Sequence, residues 1–227
     1  MNDTIRKIPN HEVTYQQIRD MILFGDLAPG QAVTIQGLAS LMGAGVTPIR
    51  EAIRRLTAEG ALEFLGNRRV CVPELTRTQH EELEFARLNI EPELARIAVN
   101  TLNNKDIDEL AEIDETLNEA IYNGDVQGYL LQNHRFHFTL YNHANARILL
   151  DIANMLWLRV GPSLRVVCGR VGTYNLTDRH KQALDALRKG DAEAVANAIR
   201  KDIRQGMDQI RQAQSDESTP PKLIDKK

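Results

Sequence analysis

The sequence predicts a mainly α-helical chain in two parts: an N-terminal winged helix-turn-helix with a small β-hairpin wing, and an all-α helical bundle after it. Three observations lead there. Apolar residues recur at helical spacing along most of the chain. Two short strand candidates, 61–65 and 70–72, lie together around the turn-forming Gly66-Asn67-Arg68-Arg69. One short helix between them and the N-terminus has an apolar underside, with arginines on its other faces.

The elements follow in order. Tyr15, Ile18 and Ile22 mark a first helical stripe, which residues 25–30 interrupt with two glycines and a proline. Ile35, Leu38, Ala39 and Met42 mark a second, short helix, and Gly43-Ala44-Gly45 is a tight turn. A third helix starts at Thr47-Pro48, where a missing proline amide costs nothing. Its residues Ile49, Ala52, Ile53 and Leu56 fall at i, i+3, i+4 and i+7, and Glu59-Gly60 closes it. Beyond Pro73 the texture is helical throughout, with breaks at Asn103-Asn104, Asn123-Gly124-Asp125, Gly172 and Gly190-Asp191, which suggests about six helices. The expected boundaries are 8–76 for the winged domain, 77–214 for the bundle and 215–227 for a disordered polar tail.

Composition excludes several classes. The 227 residues carry a net charge of −3 and are 42% apolar and 26% charged, so any affinity for nucleic acid must be local. No acidic residue occurs between Asp26 and Glu51, which leaves the second helix and the turn free of charges that repel phosphate. Cys71 and Cys168 read as reduced core thiols. The N-terminus has no apolar core of a signal peptide, and no apolar run reaches the ~18–20 residues of a membrane span. A cytoplasmic location is expected.

The segment "GDLAPGQAVTIQGLASLMGAGVTPIREAIRRLTAEGAL" resembles the GntR family of bacterial regulators. It holds Pro29-Gly30 before a first strand, Leu38-Ala39 in the second helix, Thr47 to Ala52 opening the recognition helix, and Arg55-Leu56 with Glu59-Gly60 at its close. The helical remainder is similar to the FCD effector domain of the FadR-type branch. The matching parts are Arg87 and Glu91 in "FARLNIEPELARIA", "NGDVQGYLLQNHRFHFTLYNHANARIL" and "DRHKQALDALRKGDAEAVANAIRKDI". The resemblance implies a homodimeric transcription factor on a palindromic DNA operator, whose affinity is set by a small ligand, often an organic acid. Repression relieved by the ligand is the family's commoner behaviour. The chain departs from the FadR-type pattern at Gln36, Gly45 and Val46, so the operator is expected to be its own.

Arginine can read guanine through two hydrogen bonds, which assigns Arg50 to base reading with Thr47 beside it. Arg54 and Arg55 are expected to hold the DNA backbone or neighbouring groups, and the wing residues Asn67, Arg68 and Arg69 to reach the adjacent minor groove.

Four polar residues in the bundle stand where periodicity calls for apolar ones: Asn133, His137, His180 and Asp202. The FCD family places a metal at the corresponding positions with an Asp and three His, so this chain exchanges the first carboxylate for an amide and the last imidazole for a carboxylate. The set suits one divalent ion, zinc, nickel or manganese. A metal-free polar cluster bridged by water, or occupied by the effector, is the other reading. His134 and His143 match no ligand position. Arg87 is the first candidate for an effector carboxylate, either free to bind it or paired with Glu91, and Arg159 the second. Two rival functions remain at this level: a metal-dependent enzyme using the polar cluster, and a DNA-binding module with no effector.

Overall fold

The computed structural model describes residues 10–66, 69–171 and 179–217; the expected turn residues Asn67 and Arg68, and the tail from 218 onward, lie outside them. The described elements are α1 (Asn10–Leu23), β1 (Val33–Thr34), α2 (Ile35–Met42), α3 (Val46–Ala58), β2 (Glu63–Gly66), β3 (Arg69–Cys71), α4 (Arg77–Ala98), α5 (Asn104–Asn123), α6 (Val126–Asn142), α7 (Arg147–Val171), α8 (Arg179–Arg188) and α9 (Ala192–Glu217). Helices dominate, and the one described sheet is small and antiparallel, in the order β1-β3-β2. The chain divides into two compact units, the first made of residues 1–74 and 154–166, the second of 75–153 and 167–227.

In the first unit the apolar stripes read from the sequence form the core. Ile18, Ile22, Ile49, Ile53 and Leu56 are fully buried, and Leu38 nearly so. Burial of such side chains contributes about 1.5–3 kcal/mol each. Gly43 ends α2 in the left-handed region at φ 59°, which L side chains rarely adopt, and the chain turns there into α3. The hairpin pairs Phe64 with Val70 and Glu63 with Cys71. The third strand, β1, adds Val33 opposite Val70 and Thr34 opposite Arg69, and Thr34 then caps α2 through Gly37 N–H.

The middle of α7 also belongs to this unit. Arg19 donates to Asn154 at 2.8 Å, and Arg159 donates through Nε and Nη2 to the carbonyl of Glu59 at 3.2 and 3.0 Å. Gly161 lies so close to Leu23 that a side-chain carbon there would stand 3.1 Å from the Leu23 carbonyl oxygen.

The second unit contains α4, α5, α6, α8 and α9 with the two ends of α7. Its helix boundaries are chemically marked. Thr76 and Asn103 each form a capping box, and Asp125 caps α6. Arg211 of α9 pairs with Glu84 of α4.

Within the core of this unit, Arg87 and Glu91 are 2% and 0% exposed and pair through Nε–H to Oε1 at 2.5 Å and Nη2–H to Oε2 at 3.3 Å. Removing one partner of such a pair strands a buried charge. Arg87→Ala should therefore lower unfolding free energy by about 3–5 kcal/mol in urea titrations, and Arg87→Met with Glu91→Leu by clearly less. Equal losses in the single and double variants would show that the charge pairing is not what the site requires.

Candidate functional site

Two places carry polar groups that the core does not use: the outer face of α3, and a cavity in the second unit.

On α3 the four apolar positions are buried, while Thr47, Arg50 and Arg54 stand exposed. The helix starts at Val46, with Gly45 at its N-cap making no side-chain hydrogen bond, so no side chain of the cap covers the first amides. Arg55 is differently placed. Its guanidinium lies 3.6 Å from the centre of the Tyr15 ring and pairs with Glu12 at 3.0 Å and Glu59 at 3.1 Å. It therefore staples α1 to α3. Tyr15 donates its hydroxyl to Glu59 at 2.8 Å; burial, then the Glu59 carboxylate, push its pKa up to about 12. On the wing, Arg69 is exposed, as are Phe64 and Leu65.

The cavity in the second unit has a volume of about 60 Å³. Asn133, His180 and Asp202 line it, with Asp114, Tyr129 and Arg179 among the other walls. His137 stands beside it, its Nε2 3.1 Å from Asp202 Oδ2 and 3.4 Å from His180 Nε2. The fold thus gathers all four polar residues singled out from the sequence. His137, His180 and Asp202 each offer a ligand atom within 4.8 Å of the others.

The hydrogen-bond directions around these rings can be followed proton by proton. Tyr141 donates its one proton to Glu91 Oε2 at 2.9 Å. Its oxygen can then only accept from His137 Nδ1, 2.9 Å away, which places a proton on that nitrogen. Burial above all, only partly offset by Asp202, lowers the His137 pKa, so the ring is neutral and its Nε2 presents a lone pair. His180 directs Nδ1 to Asp114 Oδ1 at 3.0 Å, which fixes a proton on that nitrogen and turns its Nε2 toward His137 Nε2. Phe136, fully buried, stacks on the His180 ring at 4.0 Å and 10°. Burial works against the Asp202 carboxylate, but the groups it faces, the permanently charged Arg87 guanidinium among them, keep it ionised, its pKa held at about 2. Two imidazole nitrogens and a carboxylate therefore converge within 4.8 Å of one another. That donor set fits a divalent cation, with Tyr141 and Asp114 holding the far nitrogen of each ring.

Asp114 and Tyr141 were missed from the sequence. Asp114 lies on the stripe Ile107, Leu110, Asp114, Leu117, a polar intruder of the same kind as the other four. Tyr141 falls one turn after His137 but reads as an ordinary core aromatic. Of the two effector candidates, Arg87 is engaged by Glu91 and does not line the cavity, and Arg159 belongs to the first unit at the Glu59 carbonyl. His134 stacks on Phe138 at 4.3 Å, an ordinary helix contact. Cys71 and Cys168 are buried free thiols. No helix among the described residues is long and apolar enough to cross a membrane.

Comparison with known proteins fits both places. Residues 10–72 match the pattern of "Bacterial regulatory proteins, gntR family", and residues 82–205 match that of the FCD domain. The chain is 28% identical over 193 residues to the HTH-type transcriptional regulator McbR of Escherichia coli K12, spanning 84% of this chain and 87% of McbR. It is 27% identical to the "Probable D-xylose utilization operon transcriptional repressor" of Paenarthrobacter nicotinovorans, spanning 88% of this chain and 89% of that protein. Among solved structures, E. coli McbR/YncC superposes with a TM-score of 0.87 at 26% identity, over 92% of this chain and 100% of that one. A GntR-class protein from Rhodococcus sp. RHA1 gives 0.73 at 21% identity, over 89% and 98%, a likeness of fold.

The buried imidazoles make a pH prediction. Burial holds His80 and His137 below the ordinary 6.5, with Thr76 and Asp202 respectively opposing it in part. The unfolded chain therefore takes up protons first as pH falls through 6.5, and stability is lost in that window and below. The melting temperature of metal-stripped protein should fall between pH 7 and pH 5.5, and less steeply in His137→Asn. A flat profile across that range would contradict neutral buried rings.

Proposed function

Because the chain belongs to the gntR family of bacterial regulatory proteins and carries its FCD domain, we propose that it is a cytoplasmic homodimeric repressor whose grip on a palindromic operator is released by a small organic acid. That it is a DNA-binding transcriptional regulator follows from the family. The finer assignments are ours.

In this reading residues 8–76 form the DNA-binding domain and 77–214 the effector-binding and dimerisation domain. Two α3 helices, one from each protomer, enter successive major grooves. Arg50 reads bases beside Thr47, Arg54 takes a phosphate, and Asn67, Arg68 and Arg69 of the wing reach the minor groove. Arg55 contributes by holding α3 against α1 through Tyr15, Glu12 and Glu59.

The effector half rests on one observation, the convergence of ligand atoms of His137, His180 and Asp202 within 4.8 Å of one another. With Asn133 they would hold one divalent ion, zinc, nickel or manganese. When bound, the ion supplies a Lewis-acidic point for an oxygen of the ligand. The protein fixes the rings that receive it: Asp114 and Tyr141 set the tautomers, and Arg87 holds the Glu91 carboxylate to which Tyr141 donates. We read the site as a sensor and not as an enzyme, in line with the relatives, which are named as regulators. The ligand acts only if it binds one pose of the dimer better than the other.

Two measurements test this. Arg50→Ala should weaken binding to a duplex selected by the wild-type protein by about 1–3 kcal/mol per half-site in anisotropy titrations. Unchanged affinity would remove Arg50 from base reading. Elemental analysis of protein purified without chelator should find about one divalent ion per chain, and His137→Ala and Asp202→Asn should each lose it at least about tenfold more readily to EDTA. Metal-free wild-type protein from cells grown with all three metals would overturn the metal assignment.

A further inference from the structure

The C-terminal end of α3 is held by a residue that stands far outside the winged domain in sequence. The last carbonyls of a helix have no partner within it. At the end of α3 several close onto the amides that follow: Arg55 takes the N–H of Glu59, Thr57 that of Gly60, and Leu56 those of Ala61 and Leu62. The carbonyl of Glu59 is served by Arg159 of α7, from Nε at 3.2 Å and Nη2 at 3.0 Å. A cation at this end also meets the negative pole of the helix dipole. The Glu59 carboxylate takes Arg55 at 3.1 Å and the Tyr15 hydroxyl at 2.8 Å, so one residue ties α3 to α1 and to α7.

The seat of Arg159 is built for it. Gly60 has φ 74°, and a side-chain carbon there would stand 2.5 Å from Nη2 and 2.8 Å from Nε, so only glycine admits the guanidinium. The helix that carries Arg159 is fixed at three further points of the same unit. Asn154, Gly161 and Arg165 fall at i, i+7 and i+11, one face of α7. Asn154 accepts from Arg19 at 2.8 Å, Gly161 lies against the backbone of Leu23, and the stem of Arg165 fills the space beside Gly25.

We propose that Arg159 is a positioning residue for DNA reading: through the Glu59 carbonyl and over Gly60 it holds the end of α3, and so sets the angle at which Arg50 meets the bases. The apolar face of α3 seats the helix on its core, but hydrophobic contact is non-directional. The two hydrogen bonds at Glu59 are directional and fix the axis. Arg50 stands nine residues before Glu59, about 13 Å along the helix at 1.5 Å per residue. A tilt of about 5° pivoting at Glu59 moves Arg50 by roughly 1 Å. Paired hydrogen bonds to a base edge weaken steeply over that distance, while Coulombic attraction to phosphates changes little.

This inference rests on Arg50 as the base-reading residue, and the experiment separates the two. The full chain and its variants are titrated by anisotropy into a duplex selected by the wild-type protein, and into a scrambled duplex of equal length, at several salt concentrations. Arg159→Met should weaken the selected duplex at least about tenfold and the scrambled one by no more than about twofold, with an unchanged salt slope. Arg159→Lys, which keeps the charge but not the two-pronged donor, should lose about threefold on the selected duplex alone. In an Arg50→Ala background, Arg159→Met should cost the selected duplex less than about twofold more, because the contacts it positions are already gone. A partly unfolded variant would instead lose both duplexes together.

Unchanged affinity of Arg159→Met for the selected duplex overturns the proposal. Equal weakening of both duplexes with a shallower salt slope also overturns it, and makes Arg159 a phosphate contact. Additive losses in the double variant leave Arg50 as a base reader and remove Arg159 as the residue that positions it. If Arg50→Ala binds like the wild type, base reading by Arg50 falls, and its positioning falls with it. Should Arg159→Met show no melting transition, Arg159→Lys carries the comparison: a loss confined to the selected duplex supports the proposal, and wild-type affinity overturns it.

Discussion

The polar interior of the second unit depends on the carboxylate of Glu91. It is fully buried, and it is tolerated because Arg87 donates to both of its oxygens and Tyr141 to one. These bonds do more than neutralise a charge. They commit the only proton of Tyr141, which dictates the proton on His137 Nδ1, which in turn bares His137 Nε2 toward Asp202 and His180. A direction imposed on α4 thus passes through α6 and reaches α8 and α9 as a choice of lone pair. Asp114 on α5 makes the same choice for His180 from the other side. Five helices converge on a place where two imidazoles and a carboxylate face one another.

This explains how the site tolerates its departures from the family pattern. The resemblance implies an acidic residue where Asn133 stands and an imidazole where Asp202 stands. The exchange moves one negative charge from α6 to α9 without changing the number of carboxylates. The new position is electrostatically suited to it, because Asp202 faces both histidines and the guanidinium of Arg87 stabilises its ionised form. At Asn133 a third carboxylate would add charge beside Asp114 and Asp202 in a small cavity. An amide offers a neutral oxygen as a ligand atom without that repulsion.

Much of this was legible in the sequence, for a reason that also sets the limit. Periodicity reports which face of a helix is buried, so it found the stripes of α1, α2 and α3 and the four polar intruders at Asn133, His137, His180 and Asp202. The turn residues Gly43, Gly124 and Gly190 and the caps Asn103 and Asp125 stand where the breaks were read. Periodicity cannot report which distant group an inward-facing side chain meets. Arg55 finds Glu12, 43 residues away, and Arg159 finds the Glu59 carbonyl, 100 residues away. Neither spacing is visible along one helix. Strand β1 is two residues long, too short for alternation to register, and only the resemblance implied it.

The two arginines placed by their surroundings sharpen a distinction that composition hides. Arg55 is held by two carboxylates and an aromatic ring, and Arg87 by the Glu91 carboxylate; a group so satisfied gains little from a new partner, because that partner must first displace the old one. Arg50 is exposed on α3, and water is what a phosphate or a base edge would displace from it. Arg179 lies between these cases: one corner is bonded, one donor is buried, and its acceptor is absent from the described residues. Such a donor, already desolvated, gains more from an acceptor brought to it than a solvated one does, because no water has to be displaced first.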